Sequence, residues 1–300
     1  MMSNSRMTRR GMLRGTAGLA AAAMTSQWST AAPAGAPSSR EMIWDCHGHL
    51  SGLVGSVEER VDQLLRYADR MGVERMVVCL GTRTTLDPSP EEMHQQNDDV
   101  LRAVAHAPNR LFGFVYLSAK HPEVSLRELD RCVCDGPMVG VKFLLAAVCT
   151  EPRREPVVRR IAELKVPVLH HTFFRFGGPW PGESTPSDLV ALAAKHPDVS
   201  FLCGHSGADW ELGIRAVRAT PNVTIDCGGF EPRPGWIEMG VRELGPERVV
   251  FGSDFPGRSF ASQLAKVYSA DLSPAVRRMI LGENLKRLLT PALAAKGVKT

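Results

Sequence analysis

The chain has 300 residues, enough for two ordinary domains or one large one, since barrels of about 250 residues fold as single units. With 44% hydrophobic, 23% charged and 6% aromatic residues, it carries too much apolar material for a disordered chain. A formal charge of +4 is small at this length and argues against a dedicated nucleic-acid binder unless the charge is clustered. Seven cysteines in so long a chain do not describe a small disulfide scaffold.

Residues 1–40 contain no Asp or Glu, and their charges are Arg6, Arg9, Arg10, Arg14 and Arg40. An Ala-rich apolar run, 15–24, follows the paired arginines and gives way to small residues such as Ala32-Pro33-Ala34. A basic start, a short apolar middle and a small-residue exit make a secretory signal. Arg9-Arg10 followed by Met12-Leu13 resembles the bacterial twin-arginine signal. The expected organisation is a cleaved export signal over 1–34, a linker over 35–40 and one domain over 41–300. The apolar run is too short to span a bilayer, so no stable membrane anchor is expected. The expected destination is outside the bacterial cytoplasm, periplasmic or extracellular, reached through the twin-arginine export machinery. Arg6, Arg9, Arg10 and Arg14 account for the whole basic excess, which leaves the rest of the chain formally neutral.

From residue 41 onward, short β-rich runs alternate with helical patterns. The runs are 42–47, 75–80, 111–117, 139–144, 167–172, 199–204, 223–227 and 248–252. Helical spacing of apolar residues covers 59–71, 157–164, 189–194 and 275–289. A long polar loop is expected after the second run, ahead of a helix over 100–105. About eight strands alternating with helices predict an α/β fold, a closed (β/α)₈ TIM barrel. An open doubly wound sheet would show a Gly-rich turn after its first strand, where this chain has Asp45-Cys46-His47-Gly48-His49.

In such barrels, chemistry sits at the C-terminal ends of the strands. His47 and His49 end the first run, and residues two apart share one side of a strand, so both can face the mouth and hold one metal ion. Asp45 lies on the same side and could support them. The fifth run ends in His170-His171-Thr172, the sixth in His205-Ser206-Gly207 and the eighth in Ser253-Asp254-Phe255-Pro256. Ionisable groups at the ends of apolar strands are costly unless paired or metal-bound. Three His positions and an Asp converging on one mouth have the composition of a metal site. His94, His106, His121 and His196 lie among polar residues and are read as surface groups. Cys46, Cys79, Cys203 and Cys227 sit in apolar runs as small hydrophobes, and Cys132 and Cys134 are read as structural.

These segments, in order, resemble the amidohydrolase superfamily, in its amidohydrolase-related branch that includes aminocarboxymuconate-semialdehyde decarboxylase. The matching pieces are 45–49, 140–142, 167–172, 204–207, 251–256 and 282–285. The resemblance implies that His47, His49, His171 and Asp254 hold one divalent metal, zinc first and manganese second. It implies that His171, not His170, is the fifth-strand ligand, and that His205 binds the metal or polarises a substrate carbonyl. Lys142 stands where some superfamily members carry a carboxylated lysine; a salt-bridged strand lysine is the preferred reading.

Asp254 and His205 are the expected catalytic pair, Asp254 moving the proton of a metal-bound water and His205 steadying an oxyanion. The first expectation is therefore hydrolysis of an amide, ester or lactone in a small organic substrate. The alternative is non-oxidative decarboxylation of an aromatic or unsaturated acid. A non-catalytic exported binding protein ranks third. Phe174, Arg175 and Trp180, in the loop after the fifth run, either line an aromatic pocket in which Arg175 pairs with an acidic substrate group or form a lid held by apolar packing with Arg175 in solvent. Arg83 and Arg258 are weaker candidates for that pairing.

Overall fold

Eight parallel strands form the wall of the molecule: β1 (Ile43–Gly48), β2 (Val73–Val78), β3 (Leu111–Tyr116), β4 (Gly140–Phe143), β5 (Val168–His171), β6 (Phe201–Gly204), β7 (Val223–Asp226) and β8 (Val249–Val250). The computed structural model describes residues 41–298. The expected export signal and linker lie outside the described residues. The strands pair in sequence order from β1 through β8. Three backbone bonds close the seam: Cys46 N to Phe251 O at 3.0 Å, Asp254 N to His47 O at 2.7 Å and His49 N to Phe255 O at 2.8 Å. This is the expected (β/α)₈ barrel.

Among the described residues, ten α-helices lie between and after the strands. They are α1 (Val57–Arg70), α2 (Pro90–His106), α3 (Pro122–Leu129), α4 (Glu155–Leu164), α5 (Pro186–Lys195), α6 (Trp210–Val217), α7 (Trp236–Leu244), α8 (Phe260–Tyr268), α9 (Pro274–Arg278) and α10 (Asn284–Ala295). None is long and apolar enough to cross a membrane.

Local chemistry sets the boundaries. Ser56 and Glu59 form a reciprocal capping box that starts α1, and Val57, Val61, Leu64 and Ala68 make its buried face. Burying a Val or Leu side chain of this kind stabilises the fold by about 1.5–3 kcal/mol. A second capping box, Ser89 with Glu92, starts α2 with Pro90 in its first turn. The helix expected over 100–105 therefore begins ten residues earlier, and much of the expected polar loop is its first half. That half reads as loop because two of its inward positions are amides, Gln96 and Asn97. Asn97 answers the barrel's polar backbone: its side chain accepts from Tyr116 N at 2.7 Å and donates to Tyr116 O at 3.1 Å.

The strands are buried on both faces, as parallel strands covered by helices must be. At the far end of the chain, a Cβ on Gly282 would fall 2.5 Å from Met42 O. Only glycine lets the segment before α10 pack this closely on the start of β1.

The cysteines follow the same logic. All seven are free, and all but Cys134 are buried. Three of the four outlying histidines face acids: His94 lies 2.7 Å from Glu128, His106 2.9 Å from Asp62, and His196 3.1 Å from Glu155. The side chain of His196 is only 9% exposed, so it is covered rather than a surface group.

Candidate active site

The C-terminal ends of β1, β5, β6, β7 and β8 gather four imidazoles and two carboxylates. The ring of His47 lies 4.9 Å from that of His49 and 4.9 Å from that of His205. His171 follows at 5.1 Å from His205. Several residues here adopt left-handed backbone: Leu80, His205, Ser206, Ala208, Phe230 and Asp254 all have positive φ. Such a conformation costs on the order of 1–3 kcal/mol for a residue with a side chain, and it concentrates where function fixes geometry.

His47 is fully buried, and its two nitrogens have different duties. Nδ1 lies 2.6 Å from Oδ2 of Asp226, at the end of β7. An ionised carboxylate only accepts, so the hydrogen sits on Nδ1 and Nε2 keeps its lone pair. Burial, followed by the nearby Lys142 charge, holds the His47 pKa well below its ordinary value. His49 Nδ1 lies 2.9 Å from the carbonyl oxygen of Cys79, which fixes the same tautomer. His205 Nδ1 meets the carbonyl of Gly228 at 3.1 Å. Burial lowers the His205 pKa to about 4, so this ring is neutral at pH 7.

Asp254 faces the first pair. Its Oδ1 lies 3.3 Å from His49 Nε2 and 3.8 Å from His47 Nε2. Burial works to raise its pKa, but His205, His49 and His47 outweigh burial and hold it well below the carboxylate range. Burial likewise pulls the His49 pKa down, while Cys79 and Asp254 carry it up to about 10. Asp254 is therefore an anion that demands a cation, either a protonated His49 or a metal ion.

His47, His49 and Asp254 form a group whose ligand atoms all lie within 4.8 Å of one another. Two imidazoles with their Nδ1 hydrogens pinned, plus one carboxylate, suit a divalent ion with nitrogen and oxygen ligands. His47, His205 and Asp226 form a second such group, overlapping the first.

His171 stands differently. Its Nε2 lies 3.0 Å from Oε1 of Glu183, a fully covered residue at the far end of the β5–α5 loop. Burial lowers the His171 pKa. Burial would raise Glu183, yet hydrogen bonds from His171 and Arg175 bring it down to about 2. His170 is buried against Phe143 and lies 3.2 Å from Cys149 Sγ, away from the imidazole cluster.

Three expectations from the sequence need correction. Lys142 has no acid within ion-pair reach among the described residues; its Nζ lies 3.0 Å from His47 Nε2 instead. It is 1% exposed, with its ammonium turned toward the imidazole cluster rather than toward an acid. Arg175 does not offer a free charge to substrate. Its guanidinium takes Glu183 through two bonds of 2.6 and 2.9 Å and lies between the rings of Phe173 and Trp180. Phe174 and Trp180 do not share a pocket. Phe174 lines a cavity of about 570 Å³ with Phe173, Trp210, Phe230, Arg215 and Arg233. Trp180 lines another of about 460 Å³ with Leu86, Lys120 and Val148. The Phe174 cavity adjoins the cluster, since Phe230 packs edge-on against both Phe173 and His205.

Asp45 belongs to neither metal group. Its Oδ1 accepts from His47 N and Ser253 N, both at 2.9 Å, and Ser253 Oγ donates to Oδ2. It ties the end of β1 to the chain entering Asp254. Burial raises its pKa to about 7 against those bonds.

Asp226 and Glu183 were missed by sequence reasoning. Asp226 had a signal: an acid closes the seventh run as His or Asp closes its neighbours. Gly252 makes its reach feasible, because a Cβ there would fall 2.1 Å from Asp226 Oδ1. Glu183 had none, because it lies twelve residues past the histidine it holds.

Comparison with known proteins identifies the family. The family described as Amidohydrolase matches residues 44–290. The chain is 33% identical over 284 residues to gamma-resorcylate decarboxylase of Polaromonas sp., covering 76% of this chain and 86% of that one. Among solved structures, the 2,6-dihydroxybenzoate decarboxylase from Rhizobium superposes with a TM-score of 0.66 at 19% identity, covering 83% and 99% of the two chains. A dihydroxybenzoic acid decarboxylase from Polaromonas, solved with manganese and the inhibitor 2-nitroresorcinol, gives 0.66 at 19% identity, covering 83% and 97%. At such identities the structural likeness speaks to the fold. The relative at 33% identity is named as a decarboxylase, which favours the alternative set beside hydrolysis over hydrolysis itself. With most of its length matched by that one family, this chain belongs to the amidohydrolase family.

Proposed function

We propose that this protein is a metal-dependent, non-oxidative decarboxylase of a small hydroxylated aromatic acid. The observation that carries the reading is the 33% identity to a gamma-resorcylate decarboxylase over three quarters of the chain. The manganese in the Polaromonas relative supports manganese ahead of zinc. The ion would be held by His47, His49 and Asp254, with His171 and His205 close by. A bound divalent ion would supply Lewis-acid polarisation of substrate oxygens and anchor an acidic substrate.

The chain's own residues do the rest. Phe173, Phe174 and Phe230 give an aromatic ring a wall to pack on. Neutral His205, its hydrogen directed to Gly228 O, presents Nε2 as an acceptor for a substrate hydroxyl. When the carboxyl group leaves as CO₂, the bonding electron pair stays on the ring carbon, which must take a proton. Asp254, the carboxyl between the imidazoles and the mouth, is an anion at rest and is assigned to relay that proton from solvent to the ring carbon, carrying it only in transit.

The test is an assay of the purified protein with Mn²⁺ or Zn²⁺. CO₂ release from 2,6-dihydroxybenzoate or another hydroxybenzoate, lost on chelation and in His49→Ala, supports the reading. Ester or lactone hydrolysis without CO₂ release returns the hydrolase. Metal-free protein with neither activity leaves a binding protein. Export of this enzyme through the twin-arginine route, with cleavage near residue 34, is proposed with it. N-terminal sequencing of protein recovered outside the cytoplasm tests that part.

A further inference from the structure

Three of the four clustered imidazoles are held in one way, and the fourth in the opposite way. His47, His49 and His205 each commit Nδ1 to an acceptor: Asp226, Cys79 O and Gly228 O. His171 commits Nε2, to Glu183, and its Nδ1 makes no hydrogen bond among the described residues. The acceptor is unusual in its burial. Glu183 is 1% exposed, and besides His171 it takes Arg175 Nε at 2.6 Å, Arg175 Nη2 at 2.9 Å and Trp180 N at 3.1 Å. A carboxylate so surrounded by N–H donors is an anion, and it can only accept from His171.

The donors around Glu183 come from one loop. Phe173 N donates to Ser184 O at 2.8 Å and closes the loop's base. The Arg175 guanidinium carbon lies 3.9 Å from the centre of the Phe173 ring and 3.5 Å from that of Trp180. Phe176 and Trp180 stand exposed on it. The loop's whole arrangement thus converges on one carboxylate, and that carboxylate touches the site through one nitrogen of His171.

We propose that Glu183 is a positioning residue that selects the Nε2–H tautomer of His171. It thereby presents Nδ1 to the metal, and only while the loop between β5 and α5 is folded around it. Arg175 serves this arrangement by holding Glu183. The proposal rests on the reading of His171 as a metal ligand, and part of its test does not.

The experiment uses the full chain labelled with ¹⁵N-histidine and stripped of metal with a chelator. Long-range ¹H–¹⁵N correlation reads the tautomer of His171, assigned by the signal missing in His171→Gln. Wild type is expected in the Nε2–H form. Glu183→Gln and Arg175→Gln are expected to shift that signal toward a mixture of tautomers. Titration with Mn²⁺ should show affinity about 10–100-fold weaker in Glu183→Gln, the range typical of lost outer hydrogen bonds to metal-binding histidines. Arg175→Gln should fall between it and wild type. An Nδ1–H form in wild type overturns the proposal, and so does Mn²⁺ affinity unchanged in Glu183→Gln. If Glu183→Gln does not fold, the wild-type and Arg175→Gln tautomers decide. Wild type that binds no Mn²⁺ at all sinks the proposed function, while the tautomer still judges Glu183. A merely structural role would lower the melting temperature and leave the tautomer as it is.

Discussion

Asp226 reaches across the barrel mouth to His47, its Oδ2 2.6 Å from Nδ1, and joins residues 179 apart in the chain. The same carboxylate accepts from Gly228 N at 2.7 Å and lies 3.4 Å from His205 N. It thereby sets the tautomer of one imidazole and the backbone around another. Asp226→Asn keeps the size but removes the charge. Metal affinity is expected to fall by about 10–100-fold, measured by competition with a chromophoric chelator. Equal affinity in the two proteins would show that Asp226 does not orient His47.

Lys142 sets a sharper test because two readings of it differ in sign. As an ammonium donating to His47 Nε2 at 3.0 Å, it opposes a dication at that nitrogen. Lys142→Met should then bind metal several-fold more tightly. A carboxylated lysine would instead be a ligand, and the same substitution would weaken binding. Metal titration gives the sign, and the intact mass of the native protein shows whether the carboxylate is there.

Lys266 carries a pH prediction. It is 3% exposed, with Nζ donating to Cys227 O at 2.9 Å and to Gly229 O, over the face of Trp236. Burial lowers its pKa from 10.5 to about 8. Between those values the unfolded chain binds the proton that the fold has released, so stability rises with pH. The contribution is up to about 1.4 kcal/mol per pH unit. Thermal melts of wild type and Lys266→Met from neutral to strongly alkaline pH should diverge above pH 8, with wild type gaining relative to the variant. Parallel curves would show that the lysine titrates at its ordinary value.

Phe230 tests the aromatic wall. Its ring lies 5.2 Å from Phe173 and 6.0 Å from His205. Phe230→Ala removes ring-on-ring packing from ground state and transition state alike. KM for a hydroxybenzoate is expected to rise about tenfold, with a smaller change in kcat. A fall in kcat at constant KM would mean that Phe230 acts on His205 instead of on the substrate.

Much of the barrel was legible because its strands are apolar runs and their ends break that pattern with His or Asp. His47, His49, His205 and Asp254 all declare themselves this way, and the structure gathers them at one mouth. The start of α2 did not declare itself, since Gln96 and Asn97 look inward yet read as polar. Arg175 misled for another reason. Beside aromatic residues it suggested a charge offered to substrate, whereas Glu183 had already taken it.

The sequence by itself determined the order of the elements, the kind of ligand at each strand end and the family those ends resemble. Each is local, written in hydrophobic period and residue type. Only the tertiary structure decided which nitrogen each histidine keeps free, that Asp226 and Glu183 hold two of those rings, and that Lys142 meets an imidazole rather than an acid. Tautomer and charge depend on the groups within hydrogen-bond reach. In this barrel most of those groups come from other strands or from the far end of a loop, so no local pattern contains them.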